Sequence, residues 1–246
     1  MQWRMIAFGL AAALVPAGAG ATCTPWPGSD DAGCLTRLAA ASHCEQRIGS
    51  DLAKLATGQL KCQQVVADTI FKTGLASAAT ENACKAKAAS KLVAADVTDC
   101  GCVDPAGLAA FWRAQLDAGL ALIYCDQTGD TIANRAPGST DAGWVTPYQA
   151  GLKCEDQLTK LTAKLLKGML KCHQATAKAA VKGVSVDDET CEGNVQATFA
   201  AKAAALAGCR GCESPSGIVA LAQALVDANN AAVYCTSPSG AFLAAR

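Results

Sequence analysis

Fourteen cysteines are the residues of this 246-residue chain with the most chemistry in them: Cys23, Cys34, Cys44, Cys62, Cys84, Cys100, Cys102, Cys125, Cys154, Cys172, Cys191, Cys209, Cys212 and Cys235. As thiolates they would take copper(I) or zinc, and the CxxC spacing of Cys209-Arg-Gly-Cys212 is a zinc or redox signal. The matching place earlier in the chain reads Cys100-Gly-Cys102, with one residue between the sulfurs. A ligand or redox pair keeps its spacing, whereas two cysteines bonded elsewhere need not. An even number of cysteines in an exported chain reads as a disulfide framework. All fourteen are therefore expected in disulfides, and a thiolate copper or zinc storage protein is the alternative.

Little else in the sequence suggests catalysis. The two histidines, His43 and His173, each abut a cysteine. Neighbours on a helix point about 100° apart, so neither forms a Cys-His nucleophile pair with its neighbour. Both are expected to be partly exposed polar residues. The sequence contains no GxSxG, HExxH, P-loop, dinucleotide fingerprint or CxxCH haem motif, and its acids scatter. The sequence therefore predicts no enzyme, no catalytic or cofactor-binding residues, no resident cofactor and no metal-ligand set beyond the thiolate alternative.

The sharpest charge feature is a lysine series: Lys153, Lys160, Lys164, Lys167, Lys171, Lys178 and Lys182. On a helix these seven fall within roughly 60° of one another. Such a stripe is either a solvated face or a site for an anionic polymer, for example an acidic polysaccharide or another cell-envelope component. It lacks aromatics for base stacking, which argues against nucleic acid. The earlier counterpart keeps only Lys54, Lys61 and Lys72, with Asp68 among them. The formal net charge of the chain is +0, so any charge-driven partner must see a local patch.

The elements that must position these residues occur twice. Cys44, Cys62, Cys102 and Cys125 recur 110 residues later as Cys154, Cys172, Cys212 and Cys235; Cys84 and Cys100 recur as Cys191 and Cys209 at offsets of 107 and 109. Residues 44–62 match 154–172 at 9 of 19 positions, and 102–125 match 212–235 at 10 of 24. Two ordered blocks in two copies imply duplication. Each copy reads as three helices. The first spans about Ser42 to Lys72 and Tyr148 to Lys182, with Gly74 and Gly183 as stop signals. The second starts near Thr80 and near Asp187. The third starts at Asp104-Pro105 and Ser214-Pro215, a capping residue followed by proline, and runs to about Cys125 and Cys235. Runs of alternating β-branched residues are absent, so almost no sheet is expected.

The expected fold class is thus all-α, with two tandem homologous three-helix bundles stapled by disulfides. Cys154 and Cys172 lie five helical turns apart, about 27 Å, so each must bond to a neighbouring helix. Pairing within each copy is favoured, with Cys100 or Cys102 meeting the first helix and Cys84 near Cys62 or Cys125. The apolar content of 51% includes only 5% aromatics and is rich in alanine, which makes a thin core that staples would support. Trp112 is expected in that core. Trp26 and Trp144 lie in loops and are expected to pack against the adjacent bundle.

Residues 1–21 read as a signal peptide: Arg4, an apolar run over 5–15, then Ala19-Gly20-Ala21 as a small-x-small site, with cleavage predicted after Ala21. The run is too short to span a bilayer, and the mature chain offers no transmembrane segment. Export to a periplasmic or extracellular space follows. Residues 22–41 form an N-terminal segment with a loop closed by Cys23 and Cys34, 42–125 the first repeat, 126–147 a linker, 148–235 the second repeat and 236–246 a tail.

The string Leu170-Lys171-Cys172-His173, followed by Ala177-Lys178 and Lys182-Gly183, resembles segments of uncharacterised exported bacterial Ala/Lys-rich helical proteins that carry KLKCH-like cysteine motifs, often in tandem. The first copy departs from the motif, with Gln63 where the histidine would stand. The resemblance implies a bacterial exported protein and no activity. The sequence therefore points to an exported, non-enzymatic, disulfide-rich binding or structural module.

Overall fold

A computed structural model describes residues 24–27, 32–125, 143–209 and 211–237. Residues 1–21, where a signal peptide is expected, Cys23, most of the 126–147 segment and the end of the expected tail lie outside the described residues.

Six α-helices carry the described chain: α1 (Ala39–Thr73), α2 (Ala78–Val93), α3 (Pro105–Gly119), α4 (Gln149–Val181), α5 (Glu189–Ala204) and α6 (Pro215–Val226). The described residues contain no strand, only isolated bridge residues at Pro25, Cys34, Trp144 and Thr236. Local sequence signals mark several helix ends. The Asp104 carboxylate accepts from the backbone N–H groups of Ala106 and Gly107, and the Ser214 hydroxyl from that of Gly217, each with proline opening the helix. Gly74 and Gly183 take positive φ of 76° and 72° just past the two long helices, a conformation glycine adopts at little cost. The third helices end earlier than expected. They stop at Gly119 and Val226, and short 3-10 turns carry the chain on to Cys125 and Cys235.

The two long helices are the centre of the molecule. α1 and α4 pack on each other more extensively than any other pair, and they run antiparallel. Ser42 lies by Ala177, the Gln174 side chain donates to the Gln46 carbonyl at 3.0 Å, and the Gln64 side chain donates to the Asp156 carbonyl at 2.7 Å. Gln64 and Gln174 are 110 positions apart, as are Gln46 and Asp156, so these two hydrogen bonds are reciprocal. The register centres on Leu55 and Leu165, also 110 apart and both fully buried. α2 and α3 cover α1, while α5 and α6 cover α4. One hydrophobic core runs through both halves, from Ile48, Leu52 and Trp112 to Leu158, Met169 and Phe199.

The disulfides follow the same symmetry. Cys44–Cys100 and Cys62–Cys84 brace the first half, and Cys154–Cys209 and Cys172–Cys191 brace the second. The remaining two pairs, Cys102–Cys235 and Cys125–Cys212, join the halves. Exchanging corresponding positions turns one of these bonds into the other, as in an isologous dimer interface. The expectation that pairing stays within each copy holds for four bonds and fails for two. Its reason is geometric: with α1 and α4 antiparallel, the end of each half is brought beside the third-helix entrance of the other. Cys34 is also disulfide-bonded.

The equivalence reaches upstream of the long helices. Cys34 N–H donates to the Tyr234 carbonyl at 2.8 Å, and Trp144 N–H, 110 positions later, donates to the Tyr124 carbonyl at 2.9 Å. Segments 32–36 and 143–146 therefore serve the same purpose, each tied down beside a buried tyrosine.

Candidate functional site

Two buried polar clusters occupy corresponding places under the long helices, and they differ in chemistry. In the first half, the Lys85 ammonium lies 2.7 Å from Glu81 Oε1 and 2.9 Å from Asp117 Oδ1. The Gln63 amide donates to both carboxylates, at 3.2 and 3.4 Å. Arg113, partly exposed, approaches Asp117 Oδ2 at 3.7 Å. Lys85 is 1% exposed, so two carboxylates and one ammonium are sealed from water in a neutralising arrangement.

The corresponding residues of the second half are His173, Asp188, Glu192 and Asp227. His173 stands on α4, Glu192 on α5, and Asp227 caps the end of α6. His173 Nε2 lies 2.8 Å from Glu192 Oε1, 3.6 Å from Asp227 Oδ1 and 3.8 Å from Asp188 Oδ2. All four residues are at most 4% exposed. The Trp26 indole N–H donates to Asp188 Oδ2, and the Trp26 ring stacks at a tilt on Tyr234, with centroids 4.6 Å apart, and on His173 at 5.3 Å. Where the first half has a lysine, the second has a third carboxylate.

Backbone staples fix both clusters. Cys62–Cys84 stands one residue before Gln63 and Lys85, and Cys172–Cys191 one residue before His173 and Glu192. Each bond clamps the two helices that supply the facing polar side chains.

Sequence reasoning placed His173 among partly exposed residues and found the acids scattered. Both expectations are corrected. His173 is 1% exposed, because Cys172 turns toward α5 and carries the next residue into the interior. Asp188, Glu192 and Asp227 converge only through the folding of three helices. The usable signal was the pairing of copies: at the 107-residue offset of Cys84 and Cys191, Lys85 aligns with Glu192 and Glu81 with Asp188. His43 is exposed. Trp112 lies in the core as expected; Trp26 is buried at 5% and belongs to the second cluster, and Trp144 is half-buried.

The CxxC element is no unit in this structure. Cys209 is bonded to Cys154 and Cys212 to Cys125, while Cys100 and Cys102 also go separate ways. The described cysteines are all disulfide-bonded, so they present no thiolates, and the thiolate-metal alternative finds no ligands among them.

All seven stripe lysines are exposed along α4, over a span of about 44 Å. None of the seven makes an ion pair among the described residues. Lys160 and Lys164 join Lys202 of α5 at the rim of a shallow groove between α4 and α5, with Leu161 and Leu206 in its wall. Lys202 was missed in the sequence because it lies on another helix. No described helix is long and apolar enough to cross a membrane.

No family model matches the chain, and neither a curated protein nor a solved structure matches it significantly.

Proposed function

We propose that this is an exported, non-enzymatic binding module of two homologous three-helix units, which engages an anionic polymer of the cell envelope, such as an acidic polysaccharide, through the lysine face of α4. The observation that carries the reading is that seven lysines line one helix face, all exposed and none paired with an acid among the described residues. A solvated helix face usually interleaves acids four residues from its lysines, which stabilises it slightly. This face has one such acid, Asp156 four residues before Lys160, and its other lysines forgo that gain, so the row of like charges costs it a little instead. A polyanion would supply the missing counter-charge along the whole row. The disulfides suit an oxidising compartment outside the cytoplasm, and they hold the helix rigid, so that little ordering entropy is lost on binding. The lack of a motif for any reaction supports the non-enzymatic reading.

Retention on heparin tests it. Lys160, Lys164, Lys167 and Lys171 replaced together by Gln should elute at markedly lower salt and show a shallower dependence of affinity on salt, because fewer counterions are released. Unchanged elution would remove the anionic-polymer reading.

A further inference from the structure

We propose that His173, Glu192 and Asp227 form a binding site for one divalent first-row transition ion of the zinc or manganese type. The site is independent of the lysine face. Its three ligand atoms, one from each residue, lie within 4.8 Å of one another on three separate helices. Zinc–nitrogen and zinc–oxygen bonds are about 2.0–2.2 Å, so neighbouring ligand atoms around one ion sit roughly 3–3.5 Å apart. The observed 2.8 and 3.6 Å from Nε2 to the two carboxylates bracket that range. One imidazole with carboxylates is a borderline-to-hard donor set, suited to zinc, manganese or iron(II) rather than copper(I).

Two further observations point to a cation. The first is the other half of the molecule. There the same position in the fold is filled by the Lys85 ammonium, held between Glu81 and Asp117. The fold thus already uses a positive charge at this spot. In the second half Glu192 stands in place of Lys85 and Gln223 in place of Arg113, so three buried carboxylates face each other with one imidazole. A divalent ion between His173, Glu192 and Asp227 would put positive charge where the first half places the Lys85 ammonium. The second observation is Glu192 itself. It is 4% exposed, and its Oε1 lies 2.8 Å from Nε2 of His173. A buried carboxylate oxygen and an imidazole nitrogen at that separation, on two different helices, can both reach one ion between them.

The surroundings match what metal sites need. Cys172–Cys191 fixes the α4–α5 distance one residue from two ligands. Asp188 adds negative charge beside the trio, and its Oδ2 is tied by the Trp26 indole. The Trp26 and Tyr234 rings exclude water from one side.

The test uses the tag-free exported chain, refolded with its disulfides intact in the presence of zinc or manganese, dialysed, and assayed for metal by mass spectrometry. The control is the variant His173→Gln with Glu192→Lys, which installs the polar set the first half already folds around. The expected result is close to one metal equivalent in the native chain, a metal-dependent rise in Tm, and loss of both in a variant that keeps its helical circular dichroism. Far less than one equivalent in the native chain with both metals would overturn the proposal. So would metal retained at the same level by the folded variant, since binding would then lie elsewhere.

Discussion

Cys102 and Cys235 are bonded across 133 residues, and the corresponding Cys125 and Cys212 are bonded across 87, so each half is tied at two places to the other. With α1 and α4 antiparallel at the centre and one core running through both, the halves form a single interlocked body. The cross-bonds should therefore carry more than local stability. Because Cys125–Cys212 already joins the halves, the loop that Cys102–Cys235 closes is much shorter than its sequence separation. Its stabilisation belongs in the ordinary range of about 2–4 kcal/mol. Cys102→Ala with Cys235→Ala is expected to lower the unfolding free energy by that amount in a guanidinium titration.

The close approach of neighbouring helices depends on a glycine in each long helix. A Cβ at Gly58 would lie 2.7 Å from Ala88 Cβ, and one at Gly168 would lie 2.6 Å from Val195 Cγ1. The positions correspond between the halves. Ala88 has no rotamer to change, and Val195, β-branched on a helix, presents both γ carbons at 2.6 and 3.1 Å, so in either half the neighbouring helix would have to move. Gly58→Ala and Gly168→Ala are each expected to destabilise by about 1–3 kcal/mol through overpacking, despite gaining up to about 1 kcal/mol in helix propensity. Thermal unfolding of the two variants checks this.

Helix number, the long-helix boundaries and the caps at Asp104 and Ser214 were legible, because periodicity and capping chemistry are local. The choice between bonding within and between halves was not. Cys102 and Cys235 meet only because α1 and α4 run antiparallel, and that depends on packing at Leu55 and Leu165. The lysine stripe was legible for the same local reason, and Lys202 was not, since it reaches the groove from α5. The buried His173 cluster falls between these cases. Its residues are far apart in sequence, yet laying one half against the other exposes the change from Lys85 to Glu192 as a reversal of charge at one buried point.

Lys85 makes its own prediction. Its ammonium lies within 3 Å of two buried carboxylates, with both partners at most 5% exposed. Removing one member of such a cluster leaves the others unpaired in a poorly hydrated site, at about 3–5 kcal/mol. Lys85→Met should therefore be among the most damaging single changes in the molecule, although methionine fills nearly the same space. Adding Glu81→Gln, which removes one of the orphaned charges, should recover part of the loss. Urea unfolding of the single and double variants would read both values, and a fully additive pair would refute the coupling.

The last prediction concerns Glu45, which follows Cys44 on α1 and caps the far end of the chain. Its Oε1 accepts from the backbone N–H groups of Cys235 at 3.2 Å and Thr236 at 3.0 Å. Burial nonetheless raises its pKa from 4.5 to about 7, outweighing the hydrogen bonds that favour the charged form. The folded chain then holds this proton more tightly than the unfolded one. The contribution to stability is fully present below pH 4.5 and is lost progressively as pH rises to about 7, above which the cost stays constant. A shift of that size corresponds to about 3 kcal/mol. Glu45→Gln keeps an acceptor for the two N–H groups and imitates the protonated acid. It should match the native chain near pH 4.5 and exceed it at pH 8, so its stability profile should be flatter across the interval. Unfolding free energies at four or five pH values decide the point: parallel profiles for the two proteins would mean that Glu45 titrates alike in the folded and unfolded states.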